Sequence, residues 1–264
     1  MGRGEAAPRL AGVDATAPGP RRVALFDVDR TLVARSTVLA LARPMHAAGL
    51  LPLRAVARAL REQAAFTLAG ADHRRMERGR ALLVAQVTGW EVSAVRAVVE
   101  QALHTHLAPL LFAEARALVR RHQERGDAVA LVTTAAHEVA EPLGRLLGAD
   151  HVLASRLAVE GGRWTGVLDV HAYGEQKAVL ARALAAEHGY DLAASAAYTD
   201  SVTDLPLLEL VGLPHAVNPD RALRRVARAR GWPVLRFRPP SRRGRRCPPP
   251  SGDAPDPAAA PGAA

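Results

Sequence analysis

Asp27 and Asp29 close an apolar run, Val23 to Phe26, with the β-branched and aromatic character of a buried strand. Carboxylates two residues apart project from the same face of a strand end, and like charges held there call for a cation. An Asp-Val-Asp triplet alone reads first as a solvated acidic turn capping a strand, and the rest of the chain overturns that. A second pair, Asp200 and Asp204, follows the short apolar strand Ser195 to Thr199, with Asp204 opening a helix predicted over Asp204 to Leu210. Each acid has an ordinary explanation there, as a turn residue and as a carboxylate favoured by a helix N-terminus. A third apolar run, Ala128 to Thr133, ends in a hydroxyl. The chain holds 35 lysines and arginines, and Lys177 is the only lysine, on a helix predicted from Glu175 to His188. A compact ammonium with three rotatable donors fits against a phosphoryl oxygen where a planar guanidinium does not, so one lysine kept in an arginine-rich chain is informative.

The elements that would position these groups alternate. Strands are predicted at Val23 to Phe26, Ala128 to Thr133, Ser195 to Thr199, Pro214 to Val217 and Pro233 to Leu235, with helices between them, which indicates βαβ units and a parallel sheet. Ligands of such sheets bind beyond the carboxyl ends of the strands, where the acids and hydroxyl fall. About seventy residues, Thr37 to Ala108, carry helical periodicity and no strand pattern, and read as an inserted helical module. Glu160-Gly161-Gly162-Arg163, between Leu157 to Val159 and Trp164 to Leu168, reads as a tight hairpin turn and not a nucleotide loop.

In order and spacing these motifs resemble the haloacid dehalogenase superfamily of phosphotransferases, specifically subclass IB, whose small helical cap is shared by the phosphoserine phosphatases. Asp27, Asp29 and Thr31 match its first motif, Thr133 its second, Lys177 its third, and Asp200 with Asp204 its fourth. The likeness extends through Glu141-Pro142-Leu143, Leu205 to Glu209 and Val217-Asn218-Pro219-Asp220, and covers roughly Arg22 to Phe237. The resemblance implies a Rossmann-like α/β core with parallel strands flanked by helices, over residues 21–36 and 109–238, and a small α-helical cap over 37–108.

It also implies a Mg²⁺-dependent phosphatase acting on a small phosphorylated metabolite. A phosphate monoester repels carboxylate nucleophiles, so such a site works only if a hard cation and fixed donors neutralise the charge. Asp27 would attack phosphorus to form an aspartyl-phosphate, and Asp29 would give a proton to the leaving oxygen and later take one from water. The metal set expected from the resemblance is Asp27, Asp29 through its main-chain carbonyl, Asp200 and, through water or a hydrogen bond, Asp204. Thr133 and Lys177 would bind the phosphoryl oxygens, with Arg30 and Ser36 at the substrate.

Three residues depart from the pattern. Thr199 stands where these phosphatases usually have glycine, so the loop must accept a β-branched side chain beside the cation. Arg30 stands where Gly, Asn or Ser is commoner. Ser36 replaces a glutamate that helps phosphoserine phosphatases recognise their amino acid, which disfavours phosphoserine. Two alternatives stay open: a catalytically weak phosphate-binding or scaffold protein of the same fold, and a protein that binds nucleic acid or another anionic surface through its arginine-rich end. An Asp-x-Asp glycosyltransferase would have no use for Lys177 and the Asp200/Asp204 pair.

Composition bounds the rest. At 264 residues and 49% hydrophobic content the chain can hold one α/β domain and a smaller module. No apolar run approaches the ~20 residues of a membrane span. Residues 1–20 lack an apolar signal core and read as a disordered leader, and the single cysteine, Cys247, rules out an internal disulfide; both fit a cytoplasmic protein. The net charge is +9, yet Arg221 to Arg246 alone holds eleven arginines and no acid, so the remainder is close to neutral. Part of that run reads as a surface helix and part enters a disordered tail, 239–264. With no aromatic interleaving, nucleic acid is not expected as a partner, and the expected state is a monomer or homodimer. His104, His106 and His137 read as surface or helix-start residues, and Trp90, Trp164 and Trp232 as too widely spaced to form a stacking platform.

Overall fold

The computed structural model describes residues 21–53, 57, 82 and 84–240. The expected leader, most of the expected tail and the middle of the expected cap lie outside these residues. Seven strands form one sheet in the order β4-β3-β2-β1-β5-β6-β7. They are β1 (Val23–Phe26), β2 (Ala128–Ala136), β3 (His151–Glu160), β4 (Arg163–Val170), β5 (Ala196–Thr199), β6 (Leu213–Val217) and β7 (Val234–Leu235). Every pairing is parallel except β3 with β4. This is the expected α/β arrangement, with the hairpin at Glu160 to Arg163 as read from the sequence.

β1 shows why the sheet is buried on both faces. Its four residues are all inaccessible: Ala24 and Phe26 join one core, and Val23 and Leu25 join the other. A strand covered on both sides needs an unbroken apolar run, which is what the sequence supplies. The first core is closed by α3 (Ala113–Glu124) and α4 (His137–Leu147). The second is closed by α5 (Glu175–His188), α6 (Leu205–Glu209) and α7 (Arg221–Ala229). On α7, Leu223 and Ala227 face the core, while Arg221, Arg224, Arg225 and Arg228 are exposed, as a surface helix requires.

A buried polar chain crosses the first core. Tyr198 on β5 hydrogen-bonds His122 of α3 at 2.9 Å, His122 meets Asp127 at 2.8 Å, and Arg22 closes the chain on Asp127 at 2.7 Å. Burial raises the Tyr198 phenol to about 12, so it stays neutral and has a partner. The pairing of β1 with β5 leaves Phe26 stacked on Tyr198, with ring centroids 4.6 Å apart.

The described part of the inserted region is helical, as expected: α1 (Thr37–Ala47), α2 (Val92–Ala102), a π-helical turn (Leu103–Leu107) and a 3₁₀ turn (Ala108–Leu110). Leu41, Met45, Val95, Val99 and Leu107 make a third core. The hairpin reaches into it, which the sequence did not suggest. Trp164 of β4 is buried there and stacks on Trp90 at 6.5 Å. Main-chain bonds from Gly89 to Trp164, Trp164 to Trp90 and Val92 to Gly162 strap the module to the hairpin. Two of the three tryptophans expected to stand apart, Trp90 and Trp164, are thus brought together by β4, at the far edge of the sheet, while Trp232 packs against the second core. His104 and His106 are exposed on the π-helical turn, and His137 begins α4.

Two boundaries differ from expectation. β2 continues three residues past Thr133 to Ala136, because a register shift in its pairing with β3 absorbs Thr134 and Ala135 and the chain stays extended. The helix expected from Asp204 splits into a 3₁₀ turn (Val202–Asp204) followed by α6, since Pro206 is tolerated only in the first turn of an α-helix. No helix among the described residues is long and apolar enough to cross a membrane.

Candidate active site

The strand order reverses at β1: successive strands run outward to β2, β3 and β4 on one side and to β5, β6 and β7 on the other. A crevice opens beyond the carboxyl ends of the strands at such a switch point. Asp27 leaves β1 there with its amide on the Tyr198 carbonyl at 2.9 Å, and Asp200 leaves neighbouring β5 one residue after Thr199. Phe26 pairs with Leu131, so Thr133 sits two residues further along β2 at the same edge. The sequence-predicted acids and hydroxyl therefore converge.

Lys177 joins them from α5. Its ammonium lies 2.6 Å from Asp27 Oδ1 and 2.7 Å from Asp204 Oδ2, and its side chain is 3% exposed. Gly174, in the left-handed region at φ 58°, caps α5. A Cβ there would make only ordinary contact with the Thr203 carbonyl, at 3.6 Å, so it is the backbone angle that calls for glycine where the chain turns into the helix carrying Lys177. Burial works to lower the lysine, but Asp204 and Asp27 override it and hold the ammonium above its ordinary value. An ammonium has three protons, and these two bonds leave one for a further oxygen.

The carboxylates feel the same burial. It pushes Asp27 up to about 6 against the pull of Lys177, with Asp204 and Asp29 adding repulsion. Asp200 rises well above the usual range, through burial first and the nearby Asp27 second. Asp29 is also raised by burial, while the Thr37 amide, 2.9 Å from its Oδ1, and the Ser36 hydroxyl hold it down. Ser36, the residue before α1, thus sits beside Asp29 at the base of the helical module. Thr133 is buried, and its hydroxyl accepts the Ala135 amide at 3.2 Å.

The structure places three residues in ways the sequence did not reveal. Thr199 is fully buried and donates its hydroxyl to Asp204 Oδ2 at 2.7 Å, the same oxygen that Lys177 holds. The residue that breaks the glycine pattern thus fixes the acid that positions the lysine. Arg30 has φ 66°, a left-handed conformation costing a non-glycine residue about 1–2 kcal/mol, which explains why glycine or asparagine is commoner there. Its Nε lies 3.2 Å from Asp200 Oδ2. Asp220 caps α7 through Leu223 at 2.7 Å, accepts the Val202 amide at 3.0 Å, and donates its own amide to the Asp200 carbonyl at 2.8 Å. Only the N-cap position of Asp220 could have been read from the sequence, as an Asp before an arginine-rich helix.

Of the expected metal set, only Asp27 and Asp200 are expected to offer a carboxylate directly, with Asp29 acting through its main-chain carbonyl and Asp204 through water or a hydrogen bond. Among the described residues no three His, Cys, Asp or Glu side chains are grouped to hold an ion by themselves. Asp204 is held by Lys177 and Thr199, and the Asp29 carboxylate accepts the Thr37 amide, so neither of these side chains stands free for direct ligation, which the expected set requires of neither. A magnesium ion needs no protein cage, because one or two carboxylates suffice when waters and a phosphate complete its shell. Asp27 and Asp200, at the ends of adjacent strands, suit that demand. Among the described residues, these four carboxylates are paired with Lys177 and Arg30 alone, so a buried surplus of negative charge favours a divalent cation.

Thr199→Val should lower kcat/KM roughly tenfold, because a buried hydrogen bond to a charged group is lost, while Thr199→Ser restores it. Steady-state kinetics of the two variants, with circular dichroism to confirm folding, checks this. Equal activity of the valine variant and the wild type would show that the hydroxyl positions nothing.

Comparisons with known proteins place the chain in a family. Residues 24–209 match the model of the haloacid dehalogenase-like hydrolase family. A Streptomyces azureus protein named for inhibition of morphological differentiation is 48% identical over 230 residues, covering 87% of this chain and 83% of its own. A probable phosphatase of Mycobacterium tuberculosis is 46% identical over 239 residues, covering 90% of this chain and 83% of its own. The solved structure of a substrate-bound phosphoserine phosphatase superposes with a TM-score of 0.61 at 20% identity, covering 83% of this chain and 94% of that one. That last likeness is one of fold.

Proposed function

Since the chain belongs to the haloacid dehalogenase-like hydrolase family, we propose that it is a Mg²⁺-dependent phosphatase of a small phosphorylated metabolite, acting through an aspartyl-phosphate on Asp27. The observation that carries this is the Lys177 ammonium bridging Asp27 and Asp204 at the switch point between β1 and β5. Asp27 with Asp200 would hold the cation, which when bound neutralises the incoming phosphate and the carboxylates around it.

Asp27, ionised at neutral pH with its value near 6, forms a bond to phosphorus as the bond to the leaving oxygen breaks. Asp29, raised by burial, delivers its proton to that oxygen and releases the alcohol. It then takes a proton from water as the water oxygen bonds to phosphorus, the Asp27–phosphorus bond breaks, and inorganic phosphate leaves. Lys177 turns its third proton to a phosphoryl oxygen, and the Thr133 hydroxyl donates to another. Thr37 fixes the orientation of Asp29, and Thr199 that of Asp204. The helical module, 37–108, would close over the leaving group as a cap and supply the contacts that distinguish substrates, with Ser36 at its base.

The purified chain is expected to hydrolyse para-nitrophenyl phosphate with added Mg²⁺ and to stop when the ion is chelated. No hydrolysis of any aryl or alkyl phosphate under either condition would favour a phosphate-binding protein of the same fold.

A further inference from the structure

We propose that Arg30 is a built-in counter-ion of Asp200 that a divalent cation must displace, so that this residue sets how tightly the site takes its metal. The inference rests on the metal-dependent reading above. Two independent features support it. The Arg30 backbone is held left-handed at φ 66°, a conformation that glycine or asparagine would adopt with less strain, so a side chain kept there is kept against its backbone preference. That side chain ends with Nε 3.2 Å from Asp200 Oδ2.

The two cations of the site are not equivalent. Lys177 is 3% exposed and lies between two carboxylates, so it has nowhere to go. The Arg30 side chain is 42% exposed, and its guanidinium can leave Asp200 for water without crossing the core. Asp200 itself is buried, with Asp27 adding to its negative surroundings. Arg30 is the cation that pairs with Asp200, while Thr199 donates to Asp204 and Lys177 is shared between Asp27 and Asp204. A divalent ion arriving at Asp200 meets a carboxylate already paired, and its net gain is reduced by the ion pair it breaks.

The test uses Mg²⁺ alone, without substrate, on the full-length chain. Wild type, Arg30→Gly and Arg30→Asn are titrated with MgCl₂ and followed by thermal denaturation and calorimetry. Both replacements suit a left-handed residue, so both should fold, and their melting midpoints without Mg²⁺ provide the reference. Removing the competing guanidinium should let both variants reach half-maximal response at roughly fivefold lower Mg²⁺ than wild type. The gap should narrow as KCl is raised, because a half-exposed pair is screened. A midpoint unchanged or raised in either variant overturns the proposal while leaving the metal reading intact. If neither wild type nor variants respond to Mg²⁺, the metal reading itself fails and this inference with it.

Discussion

Replacing Asp27 by asparagine is expected to abolish turnover, by at least about ten-thousandfold, the scale on which enzymes lose activity when a nucleophile is removed. An amide of the same shape fills the same space at the end of β1 and still accepts the Lys177 proton through its oxygen, but it cannot form an acyl-phosphate. The fold should not suffer. Asp27 is buried among Asp29, Asp200 and Asp204, and its charge is opposed by burial and by those neighbours, so neutralising it removes repulsion as well as an ion pair. The melting midpoint of Asp27→Asn should therefore equal or exceed that of wild type while phosphate release falls to background. Retention of more than a few per cent of activity, in a preparation free of contaminating phosphatase, would remove Asp27 from the mechanism.

Lys177→Arg is expected to lose about a hundredfold or more in turnover although the charge is kept. The ammonium occupies a gap defined by oxygens at 2.6 Å and 2.7 Å, walled by buried Asp27, Asp204 and Thr199. A planar guanidinium is wider and cannot meet both carboxylates while aiming a third proton at a phosphoryl group. Lys177→Ala should be worse for stability than the arginine variant, since two buried carboxylates lose their partner, a change that typically costs about 3–5 kcal/mol. Measuring turnover and melting temperature together separates the two effects. Wild-type rates for Lys177→Arg would mean that the only lysine in the chain survives by chance.

Much of this site was legible because it is written in local patterns. β1 and α5 begin and end where the sequence places them, as an unbroken apolar run and as a helix closed by Gly189 in the left-handed region. Parallel strands carry their ligands at one end, so ordering the motifs along the chain was enough to bring Asp27, Asp200 and Lys177 together. What escaped depends on register or on a single backbone angle. Thr199 looked like a liability beside the metal, and its hydroxyl bond to Asp204 exists only because the 3₁₀ turn at Val202–Asp204 folds back on the strand end. The pairing of Arg30 with Asp200 is not legible in the sequence, since nothing local shows the φ of 66° at Arg30. Trp90 and Trp164 belong to segments far apart in the chain, and only the strap between the helical module and the β3–β4 hairpin makes them neighbours. The extension of β2 past Thr133 was missed because Thr134 to Ala136 are small residues with no apolar alternation to continue the pattern.

The covalent step offers the most direct test of the central claim. Wild-type protein is mixed with para-nitrophenyl phosphate and Mg²⁺, quenched in acid during turnover, digested, and the peptides are weighed by mass spectrometry. A phosphoryl group should be found on the peptide containing Asp27, at the Asp27 side chain, and should be absent from Asp27→Asn treated identically. Turnover without any phosphoryl group on Asp27, or with one on a different residue, would contradict the mechanism.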